Sequence, residues 1–210
     1  MFKDLRKKLW VCVLVVCLLL TGIPTAAFAA GSGEAEPDAF VIPGNAVYLS
    51  TPEDILKLAE NCISDAWSRD QVFVLKNDID LSGTEFASIP TFGGIFLGQG
   101  FTVSGLRLTG EVTALGFFRY LQKTALVENL HLKGIVQPAK TGNTDIGGLV
   151  GVNSGMIKNC SFTGTVSGTE RIGGIAGRNK VSGIIEGCTT SGTVYGDHYI
   201  GGIAGENQLS

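Results

Sequence analysis

The chain has 210 residues, 44% of them hydrophobic and 17% charged, with 30 glycines and a formal net charge of −3. That is enough apolar material for a core and too much for a disordered chain. The glycine load and the many β-branched residues argue against a helical bundle.

The first 29 residues read as a secretory signal. Lys3, Arg6, Lys7 and Lys8 precede the apolar run LWVCVLVVCLLLTGI (9–23), and Ala27-Phe28-Ala29 supplies the small residues of a cleavage site. Cleavage is expected after Ala29, giving a secreted or cell-surface-associated protein. The segment carries four basic residues against Asp4, so its removal takes the net charge from −3 to about −6. An acidic chain lacks the basic face that nucleic acid requires, so nucleic acid is not an expected partner. No second long apolar run follows, so no membrane association is expected after cleavage.

Residues 30–45 (AGSGEAEPDAFVIPGN) read as a flexible leader, and 46–70 as an N-terminal strand and a capping helix. Thr51 suits the cap position, Pro52 the first turn, and Glu53 and Asp54 the positive end of the helix dipole. Ile55, Leu58, Ala59, Cys62 and Ile63 then fall on one face of a helix over about 51–64. No other helix is predicted. From 71 to 145 the texture is irregular β, with short strands broken by Gly, Asn and Ser, and with Val103, Leu106 and Leu108 as inward positions.

Residues 146–210 repeat. IGGLVGVN (146–153) returns as IGGIAGRN (172–179) and IGGIAGEN (200–207), 26 and then 28 residues apart. Downstream, Cys160 matches Cys188, and Gly164-Thr165-Val166 matches Gly192-Thr193-Val194. A worn copy lies at 115–136, with Leu130 in the cysteine slot, and the last copy is incomplete.

A fixed period of this size, with strands and no helix pattern, is the mark of a solenoid. One unit cannot bury its apolar residues alone, whereas coils stacked about 4.8 Å apart can. Ile146, Ile172 and Ile200 would then form one interior column. Leu149, Ile175 and Ile203 would form a second, and Val136, Val166 and Val194 a third. Asn153, Asn179 and Asn207 would form an amide ladder at a turn. The glycine octet reads as one strand and one corner per coil. A dinucleotide-binding reading of the glycines fails, since no helix follows any copy.

The units GGLVGVNSGMIKNCSFTGTVSG and GGIAGRN…IIEGCTTSGTVYG resemble the GLUG motif, a short repeat of bacterial extracellular proteins. The stretch from TPEDILKLAE through FVLKNDIDLSG to FLGQGFTVSGLRL is similar to the region that precedes such repeats, so the resemblance extends over about 46–208. It implies an all-β, right-handed parallel β-helix of the pectate-lyase-like kind. The N-terminal α-helix would cap the end of about five coils and hide sheet edges. GLUG repeats also occur in immunoglobulin-A-cleaving zinc metallopeptidases. This chain has only His131 and His198 and no H-E-x-x-H, so that zinc site is absent.

Candidate chemistry is sparse. Asp78 and Asp80 share one strand face and are the weak calcium candidates, but no third acid lies nearby. Glu170, Glu186, Asp197 and Glu206 read as lying mostly at turns and out of register, and Arg107, Arg171 and Arg178 as scattered. No catalytic residue, cofactor or firm metal site is assigned. Cys62, Cys160 and Cys188 remain after signal removal, an odd number with no C-x-x-C. Cys160 and Cys188 would stack within disulfide range, but inward side chains run parallel, which favours free thiols. The expectation is a non-catalytic structural or adhesive module for an extracellular glycan or host protein, with self-association through an open C-terminal end. The alternative is a carbohydrate-binding or polysaccharide-cleaving β-helix.

Overall fold

The computed structural model describes residues 40–139 and 141–208. The signal expected at 1–29 and the leader up to residue 39 lie outside them. The compact unit that begins at Ile42 is a parallel β-solenoid with very little helix.

Every strand pairing is parallel and joins successive coils. Among the described residues one sheet has six rungs: Val47–Leu49, Val72–Leu75, Ile95–Leu97, Leu126–Glu128, Met156–Lys158 and Ile184–Glu186. A second sheet, which ends on Ser161–Ser167 and Thr189–Tyr195, has five rungs. A third, ending on Val150–Asn153, Ala176–Asn179 and Ala204–Asn207, also has five. The stack therefore has six coils where about five are expected from the repeats. The extra one starts ahead of the helix, because Val47–Leu49 pairs in register with Phe73–Leu75 and is a true rung.

Helix α1 (Pro52–Asn61) begins with a reciprocal cap. Thr51 Oγ1 accepts from the Asp54 N–H at 3.3 Å, and Asp54 Oδ2 accepts from Thr51 N–H at 3.0 Å. The Ser50 N–H adds a bond at 2.9 Å and is the largest cause holding the Asp54 carboxyl below its ordinary range. Ile55, Leu58 and Cys62 enter the main core, each at 2% exposure or less. At the helix end the Cys62 carbonyl accepts from Thr91 N–H at 2.9 Å. The helix thus covers the first strand of the third sheet, Ile89–Phe92, whose edge would otherwise be open. Two expectations change here. Ile63 is 80% exposed, because the helix ends at the Cys62 cap and the chain turns outward. A second short helix, α2 (Asp65–Ser68), follows with Ser64 as its cap.

The early coils are filled by phenylalanines. Phe73, Phe92, Phe96, Phe117 and Phe118 are each at most 1% exposed, and adjacent rings meet at 5.0–6.4 Å. Val103, Leu106 and Leu108 are inward and buried. In the later coils the buried side chains are mostly aliphatic, with Phe162 among them.

The corner between the six-rung sheet and its neighbour uses one left-handed residue per coil. Asn129 (φ 52°), Asn159 (φ 51°) and Gly187 (φ 62°) occupy it in consecutive coils. Asparagine tolerates this region because its short amide bonds locally, and glycine because it lacks Cβ.

The glycine octet does something other than make one strand and one corner. In IGGIAGRN, Ile172 and Gly173 end one strand, Gly174 and Ile175 turn, and Ala176–Asn179 is a second strand in a different sheet. The two strands fold flat on each other. A Cβ on Gly177 would lie 2.2 Å from the Asp145 carbonyl carbon and 2.3 Å from the Ile146 nitrogen. Backbone therefore packs on backbone, and only glycine leaves the room. The octet is the fold of a thin arm made of Thr144–Gly147, Glu170–Gly173 and His198–Gly201 laid over the third sheet.

Candidate functional site

The most regular exposed feature is the outer face of the sheet formed by Ile79–Asp80, Thr102–Leu108, His131–Val136, Ser161–Ser167 and Thr189–Tyr195. Strand alternation sends Leu132, Val136, Phe162 and Val166 into the core. The residues between them face out, in columns set by the register. His131, Ser161 and Thr189 form one column; Lys133, Thr163 and Ser191 a second; Ile135, Thr165 and Thr193 a third. The upper two coils of this face are thus lined with hydroxyls on short side chains. The lower coils add Lys133 and Arg107, both exposed and without an acidic partner among the described residues. His131 Nδ1 lies 2.7 Å from Ser161 Oγ, and Gln137 Nε2 donates to Tyr195 Oη at 3.2 Å across two coils.

Asp78 and Asp80 stand at the lower end of this face. Asp78 Oδ1 accepts from Thr102 N–H at 2.7 Å. Asp80 Oδ1 accepts from Ser82 N–H at 3.0 Å and from Ser104 Oγ at 3.4 Å. The Ser82 N–H is the main reason the Asp80 carboxyl lies below its usual range. Asp78 ties the start of the first strand to the next coil, and Asp80 ties that strand to its own turn and to the next coil. Among the described residues no three His, Cys, Asp or Glu side chains converge as metal ligands.

The repeat columns lie beside this face. Ile146, Ile172 and Ile200 are in register, at 0%, 0% and 46% exposure. The Leu149, Ile175 and Ile203 column runs likewise from 0% to 36% at the last coil. Asn153 Nδ2 donates to Asn179 Oδ1 at 2.8 Å, and Asn179 Nδ2 to Asn207 Oδ1 at 2.8 Å. Each amide also serves the turn after it: Asn153 Oδ1 accepts from Gly155 N–H, and Asn179 Nδ2 donates to the Gly183 carbonyl. Asn179→Ala strips the partner from the buried Asn153 amide on one side and the link to Asn207 on the other, and should cost about 1–3 kcal/mol. Asn207→Ala, at the exposed end of the ladder, should cost well under half of that. Urea unfolding midpoints of the two variants make the comparison.

One cluster escapes sequence reasoning altogether. Asp145, 6% exposed with φ 62°, accepts from Arg171 Nε at 2.6 Å, Arg178 Nε at 2.9 Å and Arg178 Nη2 at 2.5 Å. Glu170 pairs with Arg171 as well, and Glu206 Oε2 lies 3.6 Å from Arg171 Nε. Glu170 and Glu206 are strand residues here, not turn residues, and Arg171 and Arg178 are gathered, not scattered. The flat glycine arm brings them together, because it lays Asp145 of one coil over Arg178 of the next. Three acids and two guanidinium groups satisfy one another, which suits a clamp between coils better than proton transfer.

Comparison with known proteins agrees with this architecture. The GLUG motif matches residues 142–167. Halomucin of Haloquadratum walsbyi (strain DSM 16790 / HBSQ001) is 32% identical over 162 residues, which cover 67% of this chain. The chain spans only 2% of that protein's length. The crystal structure of a proposed immunoglobulin A1 protease from Bacteroides ovatus superposes with a TM-score of 0.54 at 23% identity, over 78% of this chain and 62% of that one. At that identity the likeness is one of fold. Repeat, register and fold together show a parallel β-solenoid that carries the GLUG motif at residues 142–167.

Proposed function

We propose that the chain is a secreted or cell-surface module, structural and adhesive and without catalytic chemistry of its own, that holds an extracellular acidic glycan. The glycan would lie on the outer face running through Thr102–Leu108, His131–Val136, Ser161–Ser167 and Thr189–Tyr195. The observation that carries this reading is the in-register array of Thr163, Thr165, Ser191 and Thr193 above the unpaired cations Lys133 and Arg107. Short hydroxyl side chains give a flat surface with donors and acceptors at every coil, spaced about 4.8 Å along the stack. That spacing is close to the length of one sugar unit in an extended chain. Cations on an otherwise acidic protein favour uronate or sulfate groups, through charge-assisted hydrogen bonds. The positive start, apolar run and Ala27-Phe28-Ala29 of the N-terminus support secretion.

Calorimetric titration with a heparin oligosaccharide, an oligogalacturonide and neutral dextran tests this. The acidic oligosaccharides should bind and dextran should not. Lys133→Ala with Arg107→Ala should weaken binding about tenfold or more, and Thr163→Val with Thr193→Val by several-fold. Equal binding of wild type and both double variants would refute the assigned face. New reducing ends or unsaturated products during incubation would instead establish the polysaccharide-cleaving alternative.

A further inference from the structure

We propose that Cys160 and Cys188 are a thiol pair that a low-molecular-weight disulfide oxidises to a bridge between successive coils. The two residues directly precede the paired strands Ser161–Ser167 and Thr189–Tyr195, whose register places Ser161 beside Thr189. Their α-carbons are therefore one coil apart, about 4.8 Å, inside the range of about 4.4–6.8 Å that disulfides span. Parallel stacking alone would leave both sulfurs pointing the same way at arm's length. The structure closes part of that gap. Cys188 Sγ leans back into the preceding coil, where it accepts from the Cys160 N–H at 3.4 Å. The Thr189 N–H in turn donates to the Cys160 carbonyl at 3.0 Å, so the backbone on both sides is already locked in register. Both thiols are free.

The two sulfurs divide the work. Cys160 is 1% exposed and its thiol is pushed up, first by its hydrogen bond to Cys188 and then by burial. Cys188 is only partly buried, and the hydrogen bond from the Cys160 thiol lowers it to about 7. Cys188 is thus the accessible thiolate and Cys160 the resolving thiol behind it. Cys188 sulfur attacks the external disulfide RSSR, forming a mixed disulfide and releasing one thiolate RS⁻. Cys160 then gives its proton to solvent base and attacks the Cys188 sulfur. The S–S bond between coils forms, and the second RS⁻ leaves and takes up a proton. In sum two protein thiols are oxidised and RSSR is reduced to two RSH. Cys62 is the built-in control: it is fully buried at the C-terminal cap of α1, its thiol is raised to about 11 by burial, and among the described residues no cysteine stacks on it. Glycan binding plays no part in this chemistry.

The secreted chain, purified under reduction and then exposed to oxidised glutathione, provides the test. Trypsin cuts after Lys158, Arg171 and Lys180, so Cys160 and Cys188 fall in separate peptides. Mass spectrometry should find 159–171 disulfide-linked to 181–210, with no glutathione retained and Cys62 still alkylatable. Cys160→Ala should instead trap one glutathione on Cys188. Cys188→Ala should leave Cys160 unmodified. Bridged protein should resist proteolysis within 181–208 at least about tenfold longer than its reduced form, because the terminal coil can no longer peel away. A wild-type chain that keeps glutathione on Cys188, or whose two thiols stay alkylatable after oxidation, overturns the proposal. Cys160→Ser and Cys160→Ala must give the same adduct, which separates loss of the resolving thiol from loss of the fold.

Discussion

Gly148→Ala should destabilise the solenoid by about 3–5 kcal/mol, at the severe end of single substitutions, while Gly202→Ala leaves it within about 0.5 kcal/mol. The two glycines occupy the same place in the repeat phrase. Their surroundings differ. A methyl on Gly148 would lie 2.3 Å from Cγ of the buried Phe162 ring and 2.4 Å from the Gly174 carbonyl oxygen. The ring cannot swing aside in a close-packed interior, and the carbonyl is held in a ladder bond from Gly148 N–H. A methyl on Gly202 would meet nothing within 4 Å. Neither residue has a positive φ, so the contrast isolates close approach from backbone strain. Thermal or urea unfolding of the two variants, with folded-protein yield as a second readout, measures it. Equal effects at both positions would mean that the glycines serve the chain's conformation and not the packing of arm on sheet.

The second large effect is expected at Asp145. Asp145→Ala leaves Arg171 and Arg178, whose side chains are 17% and 26% exposed, facing each other without the carboxylate that separates them. Arg171 keeps Glu170 and Glu206, but Arg178 loses the carboxylate that accepts from both its Nε and its Nη2, at about 1.5–3 kcal/mol for each charge-assisted bond. Asp145→Asn keeps an acceptor and a residue suited to the left-handed backbone, so it should cost less than half as much. The cluster is not thereby a large net source of stability. Desolvation offsets much of the attraction among its members, and an apolar replacement of Asp145, Arg171 and Arg178 together should be milder than Asp145→Ala alone. Urea denaturation of the single, conservative and triple variants orders them. A triple variant worse than the single would show that the ion cluster is the principal tie between these coils.

Both expectations rest on contacts that differ in how far they can be read from the chain. The in-register columns are legible, because a solenoid converts a repeat in sequence into a translation of one coil. Ile172 over Ile146, Asn179 over Asn153 and Cys188 over Cys160 follow from the period once strands are recognised. The helix is legible for a local reason, since Thr51, Pro52 and Asp54 make its cap within a few residues. The hydroxyl columns lie half-way. Thr165 and Thr193 align in the text, but which way they face depends on the left-handed glycines at 164 and 192, which interrupt the alternation.

By itself the sequence determined the period, the columns, the glycine requirement and the presence of a capping helix, all of them consequences of local chemistry or of simple repetition. Only the tertiary structure decided that the octet folds into a flat arm, that Val47–Leu49 makes a sixth coil, and that Asp145 meets Arg171 and Arg178. Those outcomes depend on how different faces of a coil pack across one another. A repeat period says which residues lie above each other along the stack; it carries no information about which lie opposite each other within it.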